Sequence, residues 1–377
     1  MKQKWFQRLL TVILSALIVV LCLWTPGSRT AAPAVQEPSA ASAPADVPQA
    51  EPSGDFAPAE MPAPETPPAT PELPASGSDL YVPLAVPNVM VLNGTTGFGM
   101  AQFMDADARR AGVVDCEFTV ETDAANITAA LVNGSCDIAA LPTNAAAALY
   151  HKTGGAVQCL ALNTRGVIYL VAGEGETVAS LSDLEGRTVY VPAQNPTFLF
   201  SALCEKAGVS VTIDNTYAQP ADLRTAVAAG LVSLAVLPEP MVTIACSAND
   251  ALTVALDLTA EWDKVFPTGS LVQGCLVVRK AFAEENPKVV DLFLDDYAAS
   301  VAFLTEDLDA AADMIVSAGL LSAAPVAKTA IPRCNVCCLT GGKMQQSMND
   351  FINIMLTYAP NSVGGTLPGN DFYCEIS

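Results

Sequence analysis

Residues 134–144 read GSCDIAALPTN, and this stretch decides the fold class. Asp137–Leu141 is a short apolar run between turn-forming residues, which is typical of a buried strand. Thr143 or Asn144 can then cap a helix that continues to Lys152. A buried strand that runs directly into a helix is the repeating unit of α/β proteins.

The same alternation of apolar runs and helical segments continues on both sides of this stretch. The other runs that we predict as strands are Val89–Leu92, Cys116–Glu121, Val157–Asn163, Gly166–Ala172, Gly186–Val191, Val211–Asn215, Ser233–Leu237, Leu252–Leu256 and Val272–Arg279. Predicted helices lie between them, and from Ala281 onward the chain is mainly helical, notably over residues 287–305 and 343–358. This alternation predicts mostly parallel sheets with helices on both faces.

The strand pattern restarts after Ala172, which indicates an α/β fold of two lobes with a cleft between them. The helical C-terminal segment has no sheet of its own and must cover apolar surface elsewhere. We therefore predict a discontinuous lobe 1, built from residues 84–172 and 274–377, with residues 173–273 inserted as lobe 2. Two strands, at 166–172 and 272–278, would then cross the hinge.

The N-terminus carries a targeting signal. The basic residues Lys2 and Arg8 precede an uncharged apolar stretch, Leu9–Trp24. This stretch is shorter than the roughly 20 residues that span a bilayer. Residues 1–25 are therefore a signal or membrane-anchor segment, and cleavage, lipidation at Cys22 and retention all remain open. Each alternative places the rest of the chain outside the cytoplasm, either secreted or tethered to the outer face of the membrane.

Residues 26–80 are rich in proline, alanine and glutamate. Such a segment buries too little apolar area to offset the entropy lost on ordering, and closely spaced prolines favour an extended chain. We predict a disordered tether that holds the folded region away from a membrane. A ligand for a proline-reading module is the alternative.

Composition excludes several classes of function. The chain of 377 residues has 39 acidic and 18 basic side chains, a net charge of -21. We therefore expect no nucleic-acid partner and no membrane contact beyond the N-terminal segment. His151 is the only histidine, so we predict no metal and no cofactor. Cys334, Cys337 and Cys338 form the one cysteine cluster, for which a disulfide or a metal stays open.

Five motifs occur in a recognisable order along residues 87–373. They are Asn93–Gly97 (NGTTG), the stretch at 134–144, Leu181–Val189 (LSDLEGRTV), Leu237–Pro240 (LPEP) and Gly364–Pro368 (GGTLP). In these the chain resembles bacterial ABC-transporter substrate-binding proteins of the nitrate, taurine and sulfonate type. The resemblance implies a type 2 periplasmic-binding-protein fold. It also implies capture of a small organic solute between the lobes and delivery to an ABC permease and its ATPase. We expect a monomer.

Two other functions remain open at this point. One is an enzyme on the same fold, of the menaquinone-pathway or thiamine-pyrimidine type. The other is a solute sensor on the cell surface. A signal segment followed by a tether favours extracytoplasmic binding or sensing over the cytoplasmic enzymes, and we predict no catalytic residue.

The candidate site lies where ligands bind in open α/β sheets, beyond the carboxyl ends of the strands and at helix N-termini. Three strand-to-helix turns fit this description, two in lobe 1 and one across the cleft in lobe 2. Further polar residues lie at other strand ends. The candidate ligand-binding residues are Asn93, Thr95, Thr96, Gly97, Phe98, Thr143, Asn144, Arg165, Gln194, Asn195, Thr197 and Glu239.

Several of these residues have a purely structural alternative. Thr143 and Asn144 can serve only as helix caps. Glu239 can be a first-turn acid at a rigid strand end. Arg165 could bind a carboxylate or sulfonate through two hydrogen bonds, and it could equally be a solvated surface arginine.

The predicted tether can be tested by limited proteolysis of the full chain. We expect a protease of broad specificity to cut before about Ser78 first, because an irregular segment with few contacts enters the protease active site readily. Mass spectrometry of the early fragments identifies the cuts. Protection of this stretch, with first cuts inside the folded region, would contradict the prediction.

Overall fold

The computed structural model describes residues 84–109 and 114–375. The chain divides into two units, Met1–Gly77 and Ser78–Ser377, and every described residue belongs to the second. The predicted signal segment and tether therefore lie outside the described residues. Among the described residues, no helix is both long and apolar enough to cross a membrane.

Eleven strands lie in the described part of the chain and form two sheets. They are β1 (Asn88–Leu92), β2 (Glu117–Glu121), β3 (Ile138–Pro142), β4 (Val157–Arg165), β5 (Ile168–Ala172), β6 (Thr188–Tyr190), β7 (Thr212–Asp214), β8 (Leu234–Pro238), β9 (Thr253–Asp257), β10 (Val272–Arg279) and β11 (Val336–Leu339). The first sheet has the order β11-β4-β10-β3-β1-β2, and the second has the order β7-β6-β8-β5-β9. We call each sheet, with the helices packed on it, lobe 1 and lobe 2.

Helices cover both sheets. Those in residues 84–109 and 114–375 are α1 (Thr95–Phe98), α2 (Ala101–Met104), α3 (Ala106–Arg109), α4 (Ala124–Asn133), α5 (Thr143–Thr153), α6 (Asn195–Ala207), α7 (Pro220–Ala228), α8 (Met241–Ala248), α9 (Leu258–Trp262), α10 (Lys280–Glu285), α11 (Pro287–Glu306), α12 (Leu308–Ser317), α13 (Ala324–Ala330) and α14 (Gly341–Tyr358). Short 3-10 turns lie at Leu181–Leu184, Ile331–Arg333, Pro360–Val363 and Asn370–Phe372.

The two long C-terminal helices, α11 and α14, lie where the sequence predicts them. The segment after β1 does not form one continuous helix, because it is interrupted at Gly99 and at the extended Asp105.

Both sheets are mixed in strand direction, which differs from the predicted mostly parallel sheets. β1 pairs in parallel with β2 and β3, as β6 does with β7 and β8. The strands beside the crossings between the lobes pair antiparallel, namely β4 with β10 and β11, β10 with β3, and β5 with β8 and β9. An apolar run in the sequence predicts a buried strand but neither its neighbour in the sheet nor the direction of pairing, so the alternation did not reveal these antiparallel pairs.

The chain leaves lobe 1 at Gly166–Val167. β4 ends just before this point in the first sheet, and β5 begins just after it in the second. Because β5 belongs to the second sheet, the crossing lies before β5. The predicted boundary of lobe 1, in contrast, lies after Ala172. The apolar pattern of β5 identifies a buried strand but does not distinguish which sheet it joins. The chain returns through α9 and the following loop into β10.

A continuous apolar cluster extends from one lobe into the other. It includes Leu162 of β4, Ile168 of β5, Trp262 of α9, Val272 of β10 and Phe351 of α14, all buried. Burial of each large side chain stabilises the fold by about 1.5–3 kcal/mol. The crossings are therefore held by a shared core as well as by the backbone.

A substitution at Gly274 tests how tightly the strands are packed at the crossing. A Cβ added there would lie 2.8 Å from Cγ2 of Thr96 and 3.0 Å from Cβ of Thr164. We expect Gly274→Ala to lower the free energy of unfolding by about 1–3 kcal/mol, the usual cost of an overpacked core. Urea denaturation measures the change.

Gly342 provides the matched control, since a Cβ added there would meet nothing within 4 Å. It lies in the first turn of α14, so Gly342→Ala should be neutral or slightly stabilising. Equal stability of the wild type and Gly274→Ala would show that β4, β10 and α1 can separate without cost.

Candidate functional site

The strand ends of both lobes meet at the edge where the chain crosses between them. In lobe 1 the register places Pro142 of β3 opposite Gly274 of β10, and Gly274 opposite Thr164 of β4. In lobe 2 it places Pro238 of β8 opposite Ile168, the first residue of β5. The turns after β1, β3, β6 and β8 therefore face the crossing. We call this edge, formed by those four turns and the crossing, the cleft edge.

The turn after β1 combines accessible and buried groups. Gly94 has φ 104, a conformation that strongly favours glycine, and it lets the chain enter α1 directly. Asn93 is exposed and Thr95 is half-buried, whereas Thr96 and Gly97 are buried. Phe98 is completely buried within an apolar cluster of lobe 1, so its ring packs in the core.

The turn after β3 is fixed by an internal hydrogen bond. Thr143 is completely buried, and its hydroxyl donates to the carbonyl oxygen of Val272 at 2.6 Å. This bond ties the first turn of α5 to β10. Asn144 is half-buried, and no hydrogen bond to another described residue occupies its side chain. Of the two, Asn144 is therefore the better placed to contact a ligand.

The turn after β6 brings the N-terminus of α6 to the cleft edge. Gln194 is exposed and has φ 63, a left-handed conformation that is uncommon for a residue with a side chain. Thr197 donates its hydroxyl to the carbonyl of Pro192 at 2.7 Å and accepts from Asn215 at 2.8 Å, so it holds the turn. Asn195 differs, because its Oδ1 is buried without a hydrogen-bond partner.

Glu239 lies after β8, and other protein groups occupy its carboxylate. The side chain is completely buried, and its Oε1 lies 2.8 Å from Nε of Arg333. The backbone N–H and the hydroxyl of Thr243 also donate to it, at 3.2 and 3.0 Å. Burial raises the pKa of Glu239 above its ordinary value, and the Arg333 guanidinium opposes that rise. Arg333 was not identified from the sequence, because nothing in its local pattern indicates a distant partner.

Arg165 ends β4 beside the cysteine cluster. Its side chain is exposed, and its backbone N–H donates to the carbonyl of Asn335 at 3.1 Å. Burial raises the pKa of the nearby Cys337 thiol to about 11, and the Arg165 guanidinium opposes that rise. Arg165 therefore lies at the cleft edge with its charge available to solvent.

Buried polar atoms without partners mark the same edge from both lobes. Oδ1 of Asn163 and the hydroxyl of Thr164, both in β4, lack a hydrogen-bond partner, as does the hydroxyl of Thr259 in α9. Nε of Arg333 also lacks hydrogen-bond geometry, although it forms a close ion pair with Glu239. The amide of Asn163 is oriented by its donation to the carbonyl of Thr96 at 3.0 Å, so its buried acceptor is the oxygen. Nearly all buried polar atoms in folded proteins are bonded, so these mark positions that can bond a polar molecule.

These residues were missed by the sequence analysis, although a signal was available. Asn163 and Thr164 interrupt the apolar run of β4 with two polar side chains that are completely buried. Buried amides and hydroxyls at a strand end are informative, because burial without a partner is costly. Of the polar residues at the end of this strand, only Arg165 was predicted as a candidate.

The three cysteines of the cluster differ in burial. Cys334 is buried, and Cys337 and Cys338 are half-buried on β11. Cys334, Cys337 and Cys338 are free thiols, so no disulfide joins them. No group of three or more histidine, cysteine or acidic side chains that could hold a metal ion occurs in residues 84–109 and 114–375.

A cavity of about 730 Å³ opens on the opposite end of lobe 1, and Lys152, Arg279 and Lys280 contribute to its lining. The charge of Arg279 is paired with Asp137, whose Oδ1 lies 2.6 Å from the guanidinium. None of the buried unpaired polar atoms of the described chain belongs to a residue that lines this cavity. The cleft edge is therefore the stronger candidate for a site that recognises a polar ligand.

Comparison with protein families gives a clear assignment. A family model described as NMT1/THI5 like matches residues 110–311, more than half of the chain. The chain belongs to the NMT1/THI5-like family. No curated protein matches it significantly.

Solved structures confirm the fold of this NMT1/THI5-like protein. An ABC transporter protein from Parabacteroides distasonis is 22% identical with a TM-score of 0.66, and the match covers 78% of this chain and 99% of that one. The periplasmic aliphatic sulphonate-binding protein of Escherichia coli is 15% identical with a TM-score of 0.61, covering 78% and 94%. A zinc-bound ligand-binding component of an ABC-type import system from Staphylococcus aureus is 15% identical with a TM-score of 0.56, covering 77% and 96%. The predicted two-lobed periplasmic-binding-protein fold is confirmed.

The raised pKa of the buried Glu239 leads us to predict how the stability of this NMT1/THI5-like protein changes with pH. Because folding raises the pKa of Glu239, this group contributes stability below its unfolded pKa and loses that contribution as pH rises through the folded pKa. The melting temperature of the wild type should therefore rise relative to that of Glu239→Gln as the pH falls from 7.5 toward the ordinary glutamate value of 4.5.

Glu176 provides a control of opposite sign. A hydrogen bond from Arg187 lowers the pKa of Glu176, so its contribution is present above the unfolded pKa and is lost as the pH falls. Glu176→Gln should be less stable than the wild type at pH 7 by at most about 1 kcal/mol, because this pair is partly exposed. Melting curves from pH 7.5 to 4.5 compare the three proteins. A difference between the wild type and Glu239→Gln that stays constant with pH, or that changes in the opposite direction, would contradict a raised pKa of Glu239.

Proposed function

We propose that this protein is an extracytoplasmic solute-binding protein. It captures a small organic solute between lobe 1 and lobe 2 and delivers it to an ABC permease that is driven by its ATPase. Membership of the NMT1/THI5-like family and the periplasmic-binding-protein fold support this function. The similar protein from Staphylococcus aureus is a ligand-binding component of an ABC-type import system, and that from Escherichia coli is a periplasmic aliphatic sulphonate-binding protein.

The observation that carries the proposal is the placement of buried unpaired polar atoms. Asn163 and Thr164 come from lobe 1, and Asn195 comes from lobe 2. A polar solute held between the lobes would give these atoms partners and remove the energetic cost of leaving them unbonded. The turns around them supply further backbone N–H groups at the N-termini of α5 and α6.

We divide the predicted site residues into two groups. Asn93, Thr95, Asn144, Arg165, Gln194 and Asn195 are proposed to contact the solute, together with the backbone at Thr96 and Gly97. Phe98, Thr143, Thr197 and Glu239 are proposed to hold the turns in place, because their side chains pack in the core or bond to other protein groups.

Binding without turnover fits the chemistry of the described residues. Burial raises the pKa of Cys136 and of Cys204 to about 12, so both thiols stay protonated and weakly nucleophilic at neutral pH. The ring nitrogen Nε2 of His151 is hydrogen-bonded to the carbonyl oxygen of Thr366 at 2.8 Å. These groups have structural roles, and we propose no catalytic residue.

The N-terminal sequence supports the proposed location. The charged and apolar segment at residues 1–25 and the proline-rich segment at 26–80 support export and retention near a membrane. A tether of this kind keeps a solute-binding protein close to its permease.

Native mass spectrometry of the full chain, purified without refolding, tests the function. We expect part of the protein to carry one additional small-molecule mass, which is released unchanged on denaturation. Protein that never carries such a mass, and whose melting temperature does not respond to a library of small solutes that includes ethanesulfonate, would contradict the proposal. Chemical conversion of the released compound would favour the enzyme alternative.

Substitutions at the cleft edge test the site. Thr95→Leu should weaken binding of the identified compound roughly tenfold or more by blocking close approach to the turn. Asn195→Ala should weaken it about fivefold by removing one hydrogen bond. Calorimetry measures both.

Thr305→Leu and Asn353→Ala are the matched controls. Both residues are exposed on the long helices α11 and α14 and belong to none of the turns that form the cleft edge. The controls should bind like the wild type. Unchanged affinity in both cleft-edge variants, with the fold intact, would place the site elsewhere.

A further inference from the structure

A short segment of lobe 1 forms two hydrogen bonds with the crossing between the lobes. Asn335 lies just before β11 and donates its side-chain amide to the carbonyl of Gly166 at 2.6 Å. Its own carbonyl accepts the backbone N–H of Arg165 at 3.1 Å. Asn335 has φ 46, so the segment makes a sharp left-handed turn where it meets the crossing. We call Arg333–Asn335 the brace.

Arg333 extends the brace into lobe 2 through three contacts. Its Nε lies 2.8 Å from Oε1 of Glu239, and its terminal nitrogen donates to the hydroxyl of Thr243 at 2.8 Å. Its backbone carbonyl accepts the hydroxyl of Tyr169 at 2.8 Å. The three partners lie after β8, in α8 and in β5, so they all belong to lobe 2. One arginine of lobe 1 therefore bonds three elements of the other lobe.

The burial of this ion pair is asymmetric. The side chain of Glu239 is 0% exposed, whereas that of Arg333 is 31% exposed. A completely buried carboxylate is costly without a partner, and here an arginine and Thr243 meet that need together. Lobe 2 cannot rotate away from the brace without leaving the carboxylate uncompensated. The contact therefore resists relative movement of the lobes.

The other ion pairs between described residues lack this property, because each joins groups of one lobe. Arg187 pairs with Glu176 in lobe 2, and Lys328 pairs with Asp309 in lobe 1. Arg279 pairs with Asp137 in lobe 1 with nearly the same exposure as the brace pair, 26% and 8%. The Arg279 pair is thus a matched reference with a similar environment and no link between the lobes.

We propose that the brace sets the orientation of the two lobes and thereby the affinity of the cleft for its solute. Arg333 and Glu239 act as positioning residues that do not touch the solute. The proposal rests on the proposed solute-binding function for its effect on affinity. A cleft held near its binding geometry loses less conformational entropy on binding, so a firm brace favours tight binding.

Hydrogen exchange at the crossing gives a readout that needs no solute. The N–H of Val167 donates to Oε1 of Gln273 at 2.7 Å, and the N–H of Glu239 donates to the carbonyl of Val167 at 2.8 Å. Movement of lobe 2 against lobe 1 exposes the Val167 amide, because its partner Gln273 lies on β10 of lobe 1. The Glu239 bond extends the pairing of β5 with β8, so loosening of lobe 2 alone exposes the Glu239 amide but not that of Val167. The exchange rate of the Val167 amide therefore reports the firmness of the crossing.

The experiment compares Arg333→Met with Arg279→Met in the full chain. Exchange at the amides of Val167 and Glu239 should be about tenfold faster in Arg333→Met and unchanged in Arg279→Met. The fraction of protein that retains a co-purified small molecule in native mass spectrometry should fall several-fold in Arg333→Met only. Glu239→Gln, which keeps the shape but removes the charge, should lie between Arg333→Met and the wild type.

Three results would overturn the proposal. One is equal exchange at the crossing in Arg333→Met and Arg279→Met. Another is faster exchange throughout both sheets in Arg333→Met, which indicates a general loss of stability. The last is faster exchange at the crossing with unchanged retention of the small molecule.

If Arg333→Met does not fold, Arg333→Lys keeps the charge, loses the paired geometry and should show the same local increase in exchange. Wild-type protein that never carries a small molecule would contradict the proposed function, and the exchange comparison would still decide whether the brace exists.

Discussion

The antiparallel pairing of β4 with β10 is the constraint on which the rest of this structure depends. β4 carries the chain out of lobe 1 and β10 brings it back, so their pairing places the two crossings side by side. Gly274 permits this pairing, because its missing side chain leaves room for Asn163 to reach the carbonyl of Thr96. The C-terminal segment then adds β11 to the outer side of β4.

The candidate site follows from that pairing. Once the crossings are adjacent, the carboxyl ends of β1, β3, β6 and β8 face the same region. The lobes share an apolar cluster behind this region and an ionic contact beside it, through Arg333 and Glu239. Buried polar atoms without hydrogen-bond partners, among them Oδ1 of Asn163 and of Asn195, lie at the same edge.

The sequence predicts local structure well and distant partners poorly. The strand at residues 138–142 and its following helix could be predicted because their pattern is set by neighbouring residues. The antiparallel direction of β5 could not, because it depends on β8 and β9 far along the chain. The same reason explains Thr143 and Glu239. A hydroxyl or carboxylate at a strand end looks available in the sequence, and only the fold shows that Val272 or Arg333 occupies it.

The buried thiols have a practical consequence. Six of the described cysteines lie in the interior, among them Cys136 and Cys204, whose pKa values burial raises to about 12. A thiol reagent attacks the thiolate of an accessible cysteine, so these side chains react only when the surrounding core opens. The rate of their modification therefore measures how often each lobe unfolds, without any added probe. Because Cys204 lies in lobe 2 and Cys136 in lobe 1, the two rates distinguish opening of one lobe from opening of the other.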